Sequence, residues 1–357
     1  MTERNINQIT EQTWINEVFP EWGTWLNEEI DRTTVAKNKF AMWWLVNMGL
    51  WIKSDHQTNL AIDLWCGTGK TTHDKAKMSP RHQWSRLTGG RDIQPNLRAQ
   101  PMVINPFAIH QLDACLVTHF HHDHIDINVA AAILKNVKNP IPFIGPKYVV
   151  DQWINWGVPK ARCQVVKPGD VLHIKDIEID VTDSFDRSVL ITDPDNEEIP
   201  ADTEVPDMDL RSVNYVIKTS AGTIYDAGDS HFSSYFAKHG QDFDIDVAIV
   251  AYGENPIGIQ DKMTSIDVLR TAENLNTKVI IPLHWDVWTN MLGDPSEIQK
   301  LWRIRKDKFS YQFHPFSWLP GGQFIFPDDQ DKLVYYHERG FKDKYTYPIN
   351  LPYKSFL

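Results

Sequence analysis

The sequence has few cysteines and no hydrophobic run long enough to cross a membrane. Its three cysteines, Cys66, Cys115 and Cys163, lie far apart and include no Cys-x-x-Cys pair. This usage is typical of a reducing compartment, so we expect a cytoplasmic protein without a disulfide framework. The longest apolar stretch, residues 40–52, is interrupted by Asn47 and is shorter than the ~20 residues that span a bilayer. The first ten residues are polar and lack the apolar core of a signal peptide.

Basic residues are also fewer than acidic ones. The chain has 36 lysines and arginines against 47 aspartates and glutamates, which gives a formal net charge of −11. Such a surplus provides no general attraction to nucleic acid phosphates or to anionic membrane surfaces. We therefore expect neither a nucleic acid substrate nor a membrane partner. A local basic pocket for a small anion remains compatible with this composition.

No internal repeat and no Ser/Gly-rich linker divides the chain, so we expect one domain over residues 1–357. Three segments stand apart from it in composition: a tryptophan-rich N-terminal extension (about 1–40), an acidic insert (193–209) and a C-terminal extension (about 307–357). The insert contains almost no large apolar residues and is typical of a surface loop or a lid. The tryptophan-rich N-terminal region indicates a subunit contact and hence a homo-oligomer.

Short apolar runs alternate with turns along the rest of the chain. They predict strands at residues 40–53, 59–65, 114–118, 141–144, 246–251 and 278–282, hairpins at 164–181 and 214–226, and helices at 126–138, 264–274 and 294–306. The first half is rich in hairpins and the second half repeats the scheme. This order favours a four-layer αββα sandwich over a doubly wound sheet, which would alternate strands and helices from the start.

A dense histidine cluster follows the predicted strand at residues 114–118. His119, His121, Asp123 and His124 lie within six positions, although the whole chain has only 14 histidines. In an extended segment His119 and His121 point the same way, and Asp123 and His124 follow at the turn into a helix. The alternative, a solvated turn that is rich in histidine by accident, is improbable at this density. The cluster predicts ligands for two neighbouring cations.

Two later strand ends carry side chains of the same chemistry. Asp229 follows the strand that ends at Asp226, and His284 follows the apolar run that ends at Pro282. Each has a purely structural alternative, because an aspartate often stabilises a turn and a lone histidine is often packed in a core. Together with the histidine cluster they favour a metal site in which Asp229 bridges two ions.

This arrangement resembles the metallo-β-lactamase superfamily, with His-x-His-x-Asp-His after one strand and Asp and His at two later strand ends. Longer strings resemble the L-ascorbate-6-phosphate lactonase family within it: FPEWG at 19–23, FAMWW at 40–44, WCGTGK at 65–70, YGENP at 252–256 and KSFL at 354–357. The resemblance implies the αββα fold and a hydrolase that opens L-ascorbate 6-phosphate to 3-keto-L-gulonate 6-phosphate. In such a site Asp123 would orient the nucleophilic water and move its proton.

The sequence departs from the superfamily at one predicted ligand. Many members have a further histidine between the cluster and the bridging aspartate, whereas residues 182–187 read TDSFDR. Asp183 or Asp186 can replace that histidine, and we favour Asp186; its alternative is a loop carboxylate paired with Arg187. An added carboxylate makes the site harder, so we expect one or two divalent ions, Mn²⁺ before Zn²⁺ or Mg²⁺.

A sugar phosphate requires positive charge near this site. The candidates are Lys70, Arg187 and Lys262, with Asn255 shaping the pocket at the end of a predicted strand. Any single one of these basic residues is more often an ordinary surface charge. The expected partner is therefore a small sugar-phosphate lactone.

Two other functions remain open from the sequence. The same metal site would serve a phosphodiesterase that acts on a small cyclic phosphodiester. The fold would also suit a non-catalytic protein that binds metal or sugar phosphate, although the full set of predicted ligands speaks against it.

Overall fold

The described strands form two seven-stranded sheets. The computed structural model describes residues 5–18, 24–67, 98–192, 204, 207–255, 262–288 and 291–336. In chain order the strands are β1 (Phe40–Trp44), β2 (Leu50–Ser54), β3 (Asn59–Ile62), β4 (Ala114–Leu116), β5 (Phe143–Gly145), β6 (Cys163–Val165), β7 (Val171–Ile174), β8 (Ile177–Asp183), β9 (Val213–Lys218), β10 (Thr223–Asp226), β11 (Val247–Ala251), β12 (Val279–Leu283), β13 (His314–Pro315) and β14 (Gln323–Phe326). The first sheet has the order β14-β1-β2-β3-β4-β5-β6, and the second has the order β13-β12-β11-β10-β9-β8-β7.

Helices cover the outer faces of both sheets. They are α1 (Glu11–Val18), α2 (Thr24–Arg32), α3 (Ile127–Asn136), α4 (Lys147–Trp156), α5 (Phe236–Asp242), α6 (Ser265–Leu275) and α7 (Ser296–Phe309). Buried side chains of α1, α3 and α4 share one apolar cluster with the outer face of the first sheet, and those of α5, α6 and α7 share another with the second. The predicted αββα sandwich is therefore confirmed.

Strand β1 shows how the sequence builds these layers. Its side chains alternate: Phe40, Met42 and Trp44 lie in the cluster between the sheets, while Ala41 and Trp43 face the helices. Successive side chains of a strand point to opposite faces of the sheet, and both faces are apolar here because both are covered.

Strand direction brings several strand ends to one edge of the sandwich. In the second sheet β10, β11 and β12 are parallel, and β8 runs with them because β9 is antiparallel to both β8 and β10. In the first sheet β3 is parallel to β4. The loops that follow these strands hold the candidate site.

The predicted strand at residues 40–53 is wrong, because the structure places a tight turn inside the run. Val46 and Asn47 have positive φ angles of 76° and 57°, and the chain returns as β2. The turn is closed by Leu45 N donating to Gly49 O at 2.7 Å. The turn residues are buried and mostly apolar, so their hydropathy does not distinguish them from a strand.

The predicted hairpin at 164–181 is also different in the structure. Strand β6 pairs in parallel with β5 in the first sheet, whereas β7 and β8 form the hairpin in the second sheet. The turn at residues 168–170 thus connects the two sheets, and the hairpin itself turns at Lys175, which has a φ of 54°. The Pro-Gly-Asp signal correctly marked a turn, but strand partners are set by tertiary contacts.

The described part of the N-terminal extension packs against its own chain. Ile6, Trp14, Leu26 and Ile30 are all buried in the outer cluster of the first sheet. Most of the acidic insert and residues 337–357 lie outside the described residues. Within the described part of the chain, no helix is long and apolar enough to span a membrane. The homo-oligomer and the cytoplasmic location stay predictions.

Candidate metal centre

The predicted ligands meet at the edge formed by the ends of β4, β8, β10 and β12. They comprise four imidazoles and three carboxylates from four separate loops: His119, His121, Asp123, His124, Asp186, Asp229 and His284. Two groups of three have ligand atoms that lie within 4.8 Å of one another, namely His119 with His121 and Asp229, and Asp123 with His124 and His284. Residues far apart in sequence therefore form two adjacent cation-sized clusters.

In the first cluster, His119 Nε2 lies 3.0 Å from His121 Nδ1. The carboxylate oxygens nearest to His119 Nε2 are Asp186 Oδ2 at 3.8 Å and Asp229 Oδ2 at 3.9 Å. Asp183, the alternative to Asp186, instead faces α5, with its Oδ2 atom 3.5 Å from His239 Nε2. The geometry thus favours Asp186 at the predicted third position.

In the second cluster, His284 Nε2 lies 3.3 Å from Asp123 Oδ2 and 3.5 Å from Asp229 Oδ2. His124 Nε2 lies 3.4 Å from Asp229 Oδ1 and 3.9 Å from Asp123 Oδ2. The Asp229 carboxylate therefore faces imidazoles of both clusters, as a bridging ligand would.

Hydrogen bonds on the side of each imidazole away from the centre fix which ring nitrogen faces the centre. His124 Nδ1 lies 2.8 Å from Asp63 Oδ2, a carboxylate that can only accept when ionised. The Thr118 hydroxyl donates to the same Asp63 oxygen at 2.6 Å, so it accepts from His119 Nδ1 at 3.0 Å. Because both Nδ1 atoms carry a proton, it is the Nε2 atoms of His119 and His124 that face the centre.

His121 is oriented in the opposite sense. Its Nε2 atom lies 2.8 Å from the hydroxyl of Thr192, which itself donates to Ser188 O. The hydroxyl therefore accepts from His121 Nε2, and the Nδ1 lone pair is directed towards His119 Nε2. Two acceptors that face each other at 3.0 Å are stable only with a cation or a proton between them.

Unpartnered atoms test whether a divalent cation fits this centre. Among the described residues, four buried atoms that face it have no hydrogen-bond partner: His124 Nε2, Asp186 Oδ2, Asp229 Oδ1 and His284 Nε2. A buried polar atom without a partner is costly, and four that converge on one place indicate a missing shared ligand. Nitrogen and carboxylate donors are those that divalent metals take, so the residues present fit the group.

Electrostatics at the first cluster, with neighbouring Asp186, support the same interpretation. Burial holds the pKa of His119 well below its usual range, and burial lowers the pKa of His121 to about 4, so both present neutral lone pairs at neutral pH. Burial, with Asp229 adding to it, raises the pKa of Asp186 to about 7. Two carboxylates repel each other here, and a bound cation would relieve that repulsion.

The candidate substrate residues lie at different distances from the centre. Lys262 is buried, and its Nζ donates to Asp229 Oδ2 at 2.5 Å. Asn255 exchanges two hydrogen bonds with the backbone of Lys262, at 2.8 and 2.9 Å. Arg187 is exposed, one position after Asp186. Lys70 lies outside the described residues.

Several residues that support the predicted ligands were not predicted from the sequence. Asp63, Thr192 and Asn47 contact His124, His121 and the backbone of Asp123, respectively. The position of Asp63 just after a strand could have indicated its place at the site, as it did for Asp229. Asn47 and Thr192 had no such indication, since one is in an apolar run and the other precedes the acidic insert.

An αββα sandwich with this cluster at one edge defines a metal-dependent hydrolase of the metallo-β-lactamase fold. Residues 89–285 match the family described as Beta-lactamase superfamily domain. The crystal structure of isothiocyanate hydrolase from Delia radicum gut bacteria covers 80% of this chain and 98% of its own, with a TM-score of 0.58 and 18% identity. At that identity the similarity shows the fold alone.

Two curated relatives are similar over nearly the whole chain. The probable L-ascorbate-6-phosphate lactonase UlaG of Escherichia fergusonii is 55% identical over 353 residues, with 99% of each chain covered. The protein of the same name in Salmonella paratyphi B is 54% identical over 357 residues, again with 99% of each covered. The chain belongs to the L-ascorbate-6-phosphate lactonase family.

Proposed function

We propose that this protein hydrolyses the lactone ring of L-ascorbate 6-phosphate to give 3-keto-L-gulonate 6-phosphate. The observation that carries the proposal is the convergence of four imidazoles and three carboxylates on one buried centre, in a chain 55% identical to a relative named for this reaction. A lactone is a cyclic ester, so its opening requires attack at the carbonyl carbon and departure of the ring oxygen.

Asp123 is the group we assign to the proton transfers. A bound divalent ion would supply a water of lowered pKa and polarise the carbonyl oxygen. Of the carboxylates at the centre, the Asp123 side chain is the most exposed, at 17% against 4% for Asp229 and 0% for Asp186. It is therefore the one best placed to accept a proton from the attacking water and to return it to the ring oxygen.

The donor set supports a hard divalent ion. Three carboxylates accompany the four imidazoles, and we assign one of them, Asp186, to a position that is histidine in many members of the superfamily. Oxygen donors favour Mn²⁺ or Mg²⁺ relative to a set of nitrogen and sulfur donors, so we propose Mn²⁺ as the preferred ion. Asp229, which faces imidazoles of both clusters, would be the carboxylate that they share.

An anionic substrate requires positive charge, and we assign Lys262 and Arg187 to opposite ends of it. Lys262 is buried against Asp229, so we assign it to the reacting end of the substrate, where it stabilises developing negative charge. Arg187 is exposed beside the centre, and we assign it, with Lys70 and Asn255, to the phosphate end. A phosphate that remains near solvent costs less to desolvate than one buried among carboxylates.

A comparison of substrates tests the proposal. We expect the Mn²⁺-loaded protein to open L-ascorbate 6-phosphate, with unphosphorylated L-ascorbate turned over at least tenfold less efficiently in kcat/KM because it lacks the phosphate contacts. A small cyclic phosphodiester should not react. Turnover of the phosphodiester without the lactone would overturn the proposal in favour of a phosphodiesterase, and binding without turnover of either would indicate a non-catalytic protein.

A further inference from the structure

The loop after β12 carries a second side chain that reaches the centre. Four positions after His284, the indole Nε1 of Trp288 donates a hydrogen bond to Asp123 Oδ2 at 3.1 Å. Trp288 is 8% exposed, so this contact is largely shielded from water. An indole N–H can only donate, and here its acceptor is an oxygen of the carboxylate that we assign to proton transfer.

The ring of Trp288 is held in place by its neighbours. Its backbone forms an isolated antiparallel bridge with Arg98, and Ala99 N donates to Val287 O at 2.6 Å. The Trp288 ring packs against Trp65, with 5.3 Å between ring centroids, and the Arg98 guanidinium covers Trp65 at 4.5 Å. This stack restricts rotation of the indole, so the direction of its N–H is fixed before any substrate binds.

Asp123 is thereby held at both ends. Its backbone oxygen accepts from Asn47 Nδ2 at 2.6 Å, while its Oδ2 atom lies between the Trp288 indole and His284 Nε2, which is 3.3 Å away. With Oδ2 directed towards His284, the two carboxylate oxygens are no longer equivalent.

We propose that Trp288 is a positioning residue that gives the two oxygens of the Asp123 carboxylate different roles. The indole directs Oδ2 to the ligand position beside His284 and leaves Oδ1 as the oxygen that handles the proton. This inference rests on the role of Asp123 in the proposed function. Without the indole N–H, the carboxylate can rotate about its Cβ–Cγ bond and exchange the two oxygens.

The variant Trp288→Phe tests this directly, because it keeps a smaller aromatic ring in the stack and removes the indole N–H. The matched control is Trp302→Phe, which removes an indole hydrogen bond to Phe313 O at 2.7 Å in another part of the molecule. Because a hydrogen bond to a charged group is lost, we expect kcat for Trp288→Phe to fall roughly tenfold or more. KM should change by less than about twofold, because the indole N–H is bonded to Asp123 and the side chain is only 8% exposed.

A second readout does not depend on turnover. In the Co²⁺-loaded protein, Trp288→Phe should shift the visible absorption bands of the metal because one ligand is reoriented, whereas Trp302→Phe should leave them unchanged. If Trp288→Phe does not fold, Trp288→Met fills part of the same space with a flexible apolar side chain and likewise offers no donor to Asp123. An unchanged spectrum together with kcat within twofold of wild type would overturn the proposal. If the wild type opens no lactone, the Co²⁺ spectrum alone decides it.

Discussion

The carboxylate of Asp63 lies 2.8 Å from Nδ1 of His124 and accepts a hydrogen bond from the Thr118 hydroxyl on the same oxygen. It also accepts from Thr118 N at 2.7 Å through its other oxygen. One buried aspartate therefore orients two imidazoles, His124 directly and His119 through Thr118. Asp63 itself follows directly after β3, so the first sheet contributes this support as well as the histidine loop.

The substitution Asp63→Asn should weaken metal binding without removing a proposed ligand. The amide has a single accepting oxygen, so it cannot accept from Thr118 N as well as from the Thr118 hydroxyl and His124 Nδ1, as the carboxylate does. Outer partners of this kind are worth about 10–100-fold in metal affinity, and we expect a loss of that size in a chelator-competition titration. Asp113→Asn is the matched control, because Asp113 accepts from Asn59 N at the other end of the same strand. Equal affinities for the two variants would contradict the role given to Asp63.

Asp186 and Asp183 provide a test of the third ligand. Asp186→Ala should lower metal affinity more than about tenfold and reduce the metal bound per chain, because it removes an oxygen that faces His119. Asp183→Ala should leave metal content unchanged, since its carboxylate faces His239. Metal analysis after dialysis measures both variants. Full metal content and activity in Asp186→Ala would refute the assignment.

Asn47 joins two ligand loops through one turn. Its side chain donates to Asp123 O, and its backbone oxygen accepts from His284 N at 3.3 Å. Asn47→Gly tolerates the φ of 57° but lacks the amide, so we expect reduced kcat with little change in unfolding free energy. Asn47→Ala lacks the amide and is also strained, and should be less stable than Asn47→Gly by about 1 kcal/mol in urea unfolding. Wild-type kcat in Asn47→Gly would show that the side-chain contact is dispensable.

His239 should make stability depend on pH. Burial lowers its pKa, against the pull of nearby Asp183 and Asp242, and its Nδ1 atom lies 2.7 Å from the hydroxyl of Tyr225. In the neutral imidazole the proton on Nε2 faces Asp183 Oδ2 at 3.5 Å, so Nδ1 accepts from the Tyr225 hydroxyl. The unfolded histidine takes up a proton near pH 6.5 and the folded one resists it, so the unfolding free energy should fall as pH drops below about 6.5.

Urea unfolding of metal-loaded protein between about pH 5.5 and about pH 8 measures this effect. His239→Gln should show a smaller loss of stability on acidification than the wild type. His173→Gln is the control, because His173 is 67% exposed on the edge strand β7. The account of His239 fails if wild type and His239→Gln lose stability in parallel.

That the proposed ligands meet at one edge was predictable because each follows a strand, and strand ends are visible as the last apolar residue of a run. His119, Asp229 and His284 all obey that rule, and parallel strands bring such ends to one edge. The sequence does not distinguish Asp183 from Asp186 at the third position, since the conformation of three loop residues decides which carboxylate faces the centre.

The support around the ligands was not predictable in the same way. Asn47 lies in a buried turn whose sequence is indistinguishable from a strand, and Trp288 reaches Asp123 across 165 positions of the chain. Such contacts depend on how the two sheets pack against each other. Sequence patterns of period two or 3.6 describe single elements and carry no information about that packing.

Metal reconstitution tests the central claim most directly. The protein is stripped with a chelator and supplied in turn with Mn²⁺, Zn²⁺ or Mg²⁺, and opening of L-ascorbate 6-phosphate is followed with each ion. We predict no turnover by the stripped protein and restoration by divalent metal, with Mn²⁺ the most effective. Full activity in the protein shown to be free of metal, or no activity with any of the three ions, would contradict a metal-dependent lactonase.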